Sequence, residues 1–275
     1  MCDLNGCGRR DDLPAITVNP EHRRLFLQGL MSLPLASVLA FPELAHAAAD
    51  TLQDVSIELE GGLQVSAALA LPEADKAPAV VLIHEWWGLN DQIKAVAAEL
   101  AKQGYVALAV DLYDGKSATD PEGARALMSA TDPDVATQTM VGWVDYLRRH
   151  ERSSGKVATL GWCFGGGWSL STSIATPVDA TVIYYGNVTR SADELKKLEG
   201  PVQGHFGKLD KSINEAMVSA FEGEMEAAGK KDSLSIYWYD ADHAFANPTG
   251  ARYDEANAKL AWERTTAFLQ EQLTA

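Results

Sequence analysis

The stretch that most constrains the fold of this chain is the glycine-rich run at residues 161–167, GWCFGGG. Residues 156–160 before it predict a short buried strand, and residues 168–175 after it predict the start of a helix. Because glycine has no Cβ, such a turn can bend sharply and let strand and helix approach each other. The pattern matches G-x-S-x-G, in which a nucleophile stands on a strand-to-helix turn, with the sulfur of Cys163 replacing the hydroxyl. The alternative is a glycine-rich turn that holds a buried, unreactive cysteine.

Length and charge narrow the class of protein. The chain has 275 residues, 47% of them apolar, which suits a single sizeable α/β domain. Its formal net charge of -15 argues against nucleic acid as a partner, because binding a polyanion needs a basic surface.

The first 47 residues predict an export signal peptide. Arg23 and Arg24 come just before an apolar run, residues 25–41, that is short for a membrane span and is broken by Pro34. Ala45-His46-Ala47 then follows the small-x-small pattern of a cleavage site.

This N-terminal string is similar to a twin-arginine signal, which implies contact with the export machinery and a periplasmic mature protein. Cleavage after residue 47 would leave residues 48–275 as one catalytic domain, with no stable membrane association. A Sec signal and an uncleaved anchor are the alternatives.

Cysteine usage favours a reactive thiol. Cys2 and Cys7 lie in the predicted signal peptide, so Cys163 would be the one cysteine of the mature chain. A lone thiol forms no internal disulfide, so Cys163 would not be a structural cross-link in an oxidising compartment.

The rest of the chain alternates predicted strands and helices. Two alternating segments around Gly61-Gly62 predict an antiparallel hairpin at one sheet edge. Further strands are predicted at residues 78–84, 105–111, 156–160, 179–185, 201–206 and 234–239, and helices at 91–103, 121–130, 133–152, 191–198, 212–228 and 252–273. This order predicts an α/β fold: a mainly parallel, doubly wound sheet with helices on both faces, whose ligand lies beyond the carboxyl ends of the strands.

Three polar residues follow predicted strands: Cys163, Asp210 and His243. Nucleophile, acid and histidine in this order form one of the known triad arrangements. A thiol is only about a few per cent ionised near neutral pH, so His243 would act as its base and Asp210 would orient the imidazole. His84 and His205 lie within or at the end of apolar strands and are predicted to be hydrogen-bonded core histidines.

Two other carboxylates compete for the role of the acid. Asp240 and Asp242 are so close to His243 in sequence that they are badly placed to orient its ring from behind. Asp210 is therefore favoured.

Residues 84–88, HEWWG, lie where folds built around such a turn supply a second oxyanion donor. The backbone N–H groups of Trp86 and Phe164 are the candidate pair. Glu85 is either a solvated loop charge or a carboxylate that keeps the thiol neutral until substrate arrives.

The motifs GWCFGGG, HEWWGLN, VDLY and DHAFA, with the aspartate after a late strand, together resemble the dienelactone hydrolase family, or carboxymethylenebutenolidases. The resemblance runs from about residue 79 to the C-terminus. It implies an α/β-hydrolase fold, no cofactor or metal, and hydrolysis of an ester or lactone through a thioester acyl-enzyme. It also implies Cys163, Asp210 and His243 as the triad, with Glu85 modulating the resting cysteine.

One position departs from the family pattern. Members that act on dienelactone bind its carboxylate with arginines, one of them four positions after the histidine, where this chain has Asn247. Arg125 is the candidate for the other arginine. An aromatic acyl pocket, with core packing as the alternative for some members, is predicted from Trp86, Trp87, Tyr113, Phe164, Trp168 and Phe245.

The sequence leaves three other functions open. The first is an exported carboxylesterase with an unrelated substrate, and the second is a non-catalytic binding protein with the same fold. The third is a thiol redox protein, which would need a resolving cysteine that the mature chain lacks.

Overall fold

The computed structural model describes residues 16–274, so Cys2 and Cys7 lie outside the described residues. Its centre is an eight-stranded sheet. The strands are β1 (Gln53–Glu58), β2 (Gln64–Ala70), β3 (Ala77–Ile83), β4 (Val106–Val110), β5 (Ser153–Trp162), β6 (Ala180–Tyr184), β7 (Val202–Gly207) and β8 (Leu234–Tyr239). The helices are α1 (Pro20–Leu27), α2 (Leu35–Ala40), α3 (Pro42–Ala49), α4 (Asp91–Lys102), α5 (Pro121–Ala130), α6 (Pro133–Arg149), α7 (Phe164–Ala175), α8 (Ala192–Leu195), α9 (Glu215–Ala227) and α10 (Glu255–Thr274).

The strand order is β1-β2-β4-β3-β5-β6-β7-β8. β2 pairs antiparallel with β1 and β4, and the remaining neighbours pair parallel. The predicted edge hairpin and the mainly parallel sheet are therefore confirmed. Gly61 and Gly62 have φ values of 95° and 84° in the hairpin turn, a conformation that glycine adopts at little cost.

Helices cover both faces of the sheet because the central strands are apolar on both sides. In β3, Val80 and Leu82 pack toward α4 and α10, whereas Val81 and Ile83 pack toward α6. All four side chains are fully buried. This explains why the strand reads as a continuous apolar run and does not alternate.

Local caps shift some helix ends from their predicted positions. α9 begins after Asn214, whose side chain accepts the N–H of Met217, and α10 begins after Asp254, whose carboxylate accepts the N–H of Asn257. The helix predicted over residues 191–198 is only four residues long. The chain must turn there, because Gly200 lies against the carbonyl of Val178.

Residues 16–49 form helices that the sequence interpretation did not anticipate. In α3, Leu44 and Ala45 are almost fully buried in a cluster with Ala95 and Ala98 of α4. Within residues 16–274, no helix is both long and apolar enough to cross a membrane.

Helix α7 begins directly against the sheet. An ideal Cβ on Gly165 would lie 2.2 Å from the carbonyl oxygen of Ile83 and 2.5 Å from that of His84. A Cβ on Gly161 would lie 2.0 Å from the carbonyl oxygen of Gly165. Strand β5, helix α7 and the end of β3 therefore meet backbone to backbone.

Replacing Gly165 with alanine should destabilise the fold, because backbone atoms would have to move. We expect Gly165→Ala to lower the free energy of unfolding by about 1–3 kcal/mol. Thermal and urea unfolding followed by circular dichroism would measure this change.

The matched control is Gly223→Ala on α9, where nothing lies within 4 Å of an added Cβ. That change should stabilise the helix by about 0.5–1 kcal/mol. Equal stability of the two variants would contradict the close approach at Gly165.

Candidate active site

Cys163 occupies the turn between β5 and α7 in a strained backbone conformation. Its φ and ψ are 53° and -113°, values that a residue with a side chain rarely adopts. Its N–H donates to the carbonyl of Tyr184 at 2.9 Å. The thiol thus stands at the N-terminus of a twelve-residue helix, where the helix dipole stabilises negative charge.

His243 lies in the loop after β8 and contacts the thiol. Its Nε2 is 3.2 Å from Sγ of Cys163, and its Nδ1 is 2.6 Å from Oδ2 of Asp210. Because a carboxylate only accepts hydrogen bonds, Nδ1 carries the proton and Nε2 faces the sulfur. The histidine is only 2% exposed.

Asp210, in the loop after β7, is held from two sides. Its Oδ1 accepts the backbone N–H groups of Ser212 at 2.7 Å and Ile213 at 2.9 Å, while Oδ2 faces His243. Burial by itself raises the pKa of this carboxyl group. The hydrogen bonds and the charge of His243 outweigh burial and hold the pKa below its ordinary value, so Asp210 is ionised at neutral pH.

The competing carboxylates lie elsewhere. Asp242 accepts the backbone N–H of His243 at 2.6 Å, and Asp240 is exposed. Of these three aspartates, Asp210 is the one placed against the imidazole of His243.

His84 and His205 are buried and neutral. The ring of His84 accepts the N–H of Leu112 at Nε2 and donates from Nδ1 to the carbonyl of Glu85, and burial lowers its pKa to about 4. The ring of His205 bonds to Tyr239 and Gln203, and burial lowers its pKa to about 3. These two rings have the packing that the sequence predicts for core histidines.

The two candidate oxyanion donors lie on neighbouring segments. Phe164 is the first residue of α7, so its N–H has no acceptor within the helix. Trp86 follows β3 and is 3% exposed. The contact of Gly165 with the carbonyls of Ile83 and His84 brings this loop beside the first turn of α7.

Glu85 is 8% exposed and is held by two side chains. Asn247 donates from Nδ2 to Oε2 at 2.8 Å, and the hydroxyl of Tyr185 approaches Oε1 at 3.5 Å. The Tyr185 ring also lies 5.2 Å from that of His243, measured between centroids. Glu85 is therefore a buried carboxylate close to the candidate triad and not a solvated loop charge.

Aromatic rings surround the loop that carries Trp86. The ring of Trp86 packs edge-on against Trp87 at 5.0 Å, and the ring of Tyr113 lies 5.5 Å from that of Phe164. Trp168 continues this surface, 6.2 Å from Phe164. These rings form one connected aromatic group that includes Phe164, the residue next to Cys163.

Two predicted pocket residues do not fit that role as expected. Phe245 is fully buried and packs against Tyr185 and Tyr239, so it belongs to the core. Arg125 is exposed on α5, and the neighbouring Ala124 is the residue that packs against Trp86. Asn247 lies beside Glu85, a contact that the sequence did not reveal.

A cavity of about 520 Å³ is lined in part by Glu85. Tyr185, Asn247 and Trp262 line it, and Leu35 and Leu39 of α2 form one wall. The N-terminal helices therefore reach the surroundings of the candidate site.

The strand order, the strained cysteine turn, the acid after β7 and the histidine after β8 define the α/β-hydrolase class. Residues 65–273 match the model of the dienelactone hydrolase family. The chain belongs to that family and is a hydrolase of its type.

Similar individual proteins agree with this family assignment. The chain is 27% identical to carboxymethylenebutenolidase 1 of Cupriavidus pinatubonensis, with 78% of this chain and 95% of the relative covered. It is 28% identical to the carboxymethylenebutenolidase of Pseudomonas putida, with 79% and 95% covered. A dienelactone hydrolase-like promiscuous phosphotriesterase from metagenomic libraries shares the fold, with a TM-score of 0.72, 22% identity, and 81% and 99% of the two chains covered.

Asp210→Asn should impair turnover without unfolding the protein, because an amide at this position no longer fixes the Nδ1–H tautomer of His243. In a serine triad the same change lowers kcat by about 10⁴-fold, and we expect a loss of about 10²–10⁴-fold here. The measurement is kcat/KM with p-nitrophenyl acetate.

Asp240→Asn is the matched control, since Asp240 is exposed next to the same loop. It should retain near-normal turnover. If both variants lost activity equally, the assignment of Asp210 as the acid would fail.

Proposed function

We propose that this protein is a cysteine hydrolase of small carboxylic esters or lactones, with Cys163, His243 and Asp210 as its catalytic triad. The observation that carries the proposal is the 3.2 Å contact between Nε2 of His243 and Sγ of Cys163. The Asp210 carboxylate behind the ring adds support, since it favours the tautomer that accepts a proton from the thiol.

In the first step Nε2 of His243 takes the thiol proton, and the thiolate of Cys163 attacks the carbonyl carbon of the substrate. The imidazolium that forms is stabilised by the ionised Asp210. The helix dipole at the start of α7 stabilises the thiolate.

The tetrahedral intermediate carries a negative oxygen. In our proposal the N–H groups of Trp86 and Phe164 donate to this oxyanion. Collapse of the intermediate breaks the ester C–O bond, and His243 returns its proton to the leaving oxygen. The acyl group is left on sulfur as a thioester.

Water completes the reaction. His243 takes a proton from the water, which attacks the thioester carbonyl. Breakdown of the second intermediate releases the carboxylic acid and restores the thiol. The aromatic side chains around Trp87 and Tyr113 would hold the acyl group, which favours uncharged or aromatic acyl groups over small anions. Dienelactone belongs in the substrate panel as the anionic case.

Cys163→Ala should abolish turnover, because no other group in the proposed mechanism forms the acyl-enzyme. We expect kcat/KM for p-nitrophenyl acetate and for a lactone panel to fall by about 10⁴-fold or more. Intact-mass spectrometry of the unsubstituted protein should show an acyl adduct on Cys163 during turnover.

Thermal unfolding of Cys163→Ala serves as the folding control. Turnover retained by a folded Cys163→Ala protein would refute the nucleophile. A trapped acyl adduct on the unsubstituted protein would count against both alternative functions, a non-catalytic binding protein and a thiol redox protein.

We also propose that the protein is exported to the periplasm by the twin-arginine route and cleaved after Ala47. Support comes from the arginine pair before the apolar run and from the small residues at positions 45 and 47. Ala47 lies within α3, which packs on α4. A peptidase can therefore reach the peptide bond after Ala47 only when α3 separates from α4.

Replacing Arg23 and Arg24 with lysines should block export and leave the protein unprocessed in the cytoplasm, because the signal depends on the arginine pair. Cell fractionation and N-terminal sequencing would measure this, with Ala48 expected as the first residue of the processed protein.

The control replaces Arg148 and Arg149, an arginine pair at the end of α6, with lysines. It should leave export unchanged. Periplasmic protein that still begins at Met1 would contradict cleavage, and normal export of the first variant would contradict the route.

A further inference from the structure

The orientation of Glu85 is controlled by a residue on a distant part of the chain. Asn247 lies 162 positions later and donates from Nδ2 to Oε2 of Glu85 at 2.8 Å. A hydrogen bond to a carboxylate is stronger than one between neutral groups and favours the ionised form. This bond therefore limits the directions in which the Glu85 carboxylate can point.

The Asn247 amide is itself fixed. Its Oδ1 accepts the backbone N–H of Thr249 at 3.0 Å and the Thr249 hydroxyl at 2.8 Å. Both contacts require the oxygen to face Thr249, so the amide nitrogen must face Glu85. The side chain has one hydrogen-bonded orientation in this arrangement.

Further bonds extend the arrangement to α4 and the N-terminal helices. Gln92, in the first turn of α4, donates from Nε2 to the Thr249 hydroxyl at 3.1 Å and to the carbonyl of Leu39 at 3.1 Å. A continuous series of hydrogen bonds thus runs from α2 through Gln92, Thr249 and Asn247 to Glu85.

Tyr185 links Glu85 to the triad. Its hydroxyl faces Glu85, while its ring lies against that of His243. The backbone adds a second link, since the carbonyl of His84, the residue before Glu85, abuts Gly165 beside the cysteine turn. Glu85 is therefore connected to the thiol through Tyr185 and His243, whose Nε2 lies 3.2 Å from Sγ of Cys163.

We propose that Asn247 is a positioning residue that holds the Glu85 carboxylate in its orientation, and thereby restrains the reactivity of the Cys163 thiol. The proposal rests on the cysteine nucleophile proposed above. A negative carboxylate beside the thiol disfavours the thiolate, because like charges repel. Asn247 acts through Glu85 and does not itself touch the reacting atoms.

Other titratable groups also act on this thiol and must stay constant in a test. Those around the site are His84, Tyr113, Tyr185, Asp210 and His243, and those that line the cavity from α4 and α10 are Glu99, Glu255, Lys259 and Glu263. None of these residues is altered in the variants below, so differences between the variants report on Asn247 and Glu85.

The test is the rate of Cys163 alkylation by iodoacetamide between pH 5 and 9, measured on the full chain by peptide mass spectrometry, which separates Cys163 from Cys2 and Cys7. Glu85→Gln removes the negative charge and should speed alkylation at pH 7 by about threefold to tenfold, moving the profile to lower pH. Asn247→Ala removes the donor that holds the Glu85 carboxylate in its orientation, so the carboxylate can move. It should move the profile in the same direction by a smaller amount.

The double variant decides whether Asn247 acts through Glu85. If it does, Glu85→Gln with Asn247→Ala should match Glu85→Gln alone. The proposal would be overturned if Asn247→Ala shifted the alkylation profile equally in the unsubstituted protein and in Glu85→Gln. An unchanged alkylation profile for Asn247→Ala would also overturn it.

Asn257→Ala is the matched control. Asn257 also donates its amide to a carboxylate, that of Asp254 at 2.9 Å, but at the start of α10. Its alkylation profile should equal that of the unsubstituted protein. If Asn247→Ala does not fold, Thr249→Val removes the hydroxyl that orients Asn247 and should produce a weaker shift of the same sign. An unchanged profile for that variant would then overturn the proposal.

This readout is independent of hydrolysis. Turnover that survives in Cys163→Ala would refute the proposed function. Alkylation of the proteins that keep Cys163 would still test the positioning of Glu85. An inactive Cys163→Ala protein together with unchanged alkylation in Asn247→Ala would defeat the positioning role alone.

Discussion

The contact between the backbone of α7 and the carboxyl ends of β3 and β6 determines the geometry of this site. Gly165 lies against the carbonyl of Ile83, and the N–H of Cys163 bonds to the carbonyl of Tyr184. Side chains can adjust to their neighbours, but two backbones in contact have little freedom. The strained conformation at Cys163 persists because both neighbouring strands enforce it.

The electrostatics of the site follow from how its charged groups are held. Asp210 receives two backbone N–H groups and the ring of His243, which favour its charge despite burial. Glu85 receives the amide of Asn247. One carboxylate therefore faces the base of the proposed triad, whereas the other faces the hydroxyl of Tyr185, whose ring packs against that base. In our proposal Glu85 restrains the reactivity of the resting thiol, while Asp210 supports His243 as the base.

Much of the fold was predictable because strong local patterns agree with the tertiary structure. Apolar runs mark the buried strands, and the chain order of Cys163, Asp210 and His243 follows from their positions after successive strands. Contacts between distant segments left no such signal. The bond from Asn247 to Glu85 and the burial of Phe245 depend on side-chain directions that only packing decides. The docking of α3 on α4 was missed because its composition also suits a signal peptide.

The position of β5 at the middle of the sheet has a consequence for folding. Its neighbours β3 and β6 come from opposite directions along the chain, so the cysteine turn forms only after pairings distant in sequence are made. The amide hydrogens of Cys163 and Tyr185, bonded to β6 and β7, then belong to the most cooperative unit of the molecule. They should exchange with solvent only through global opening, so their hydrogen-exchange rates report on the stability of the central sheet.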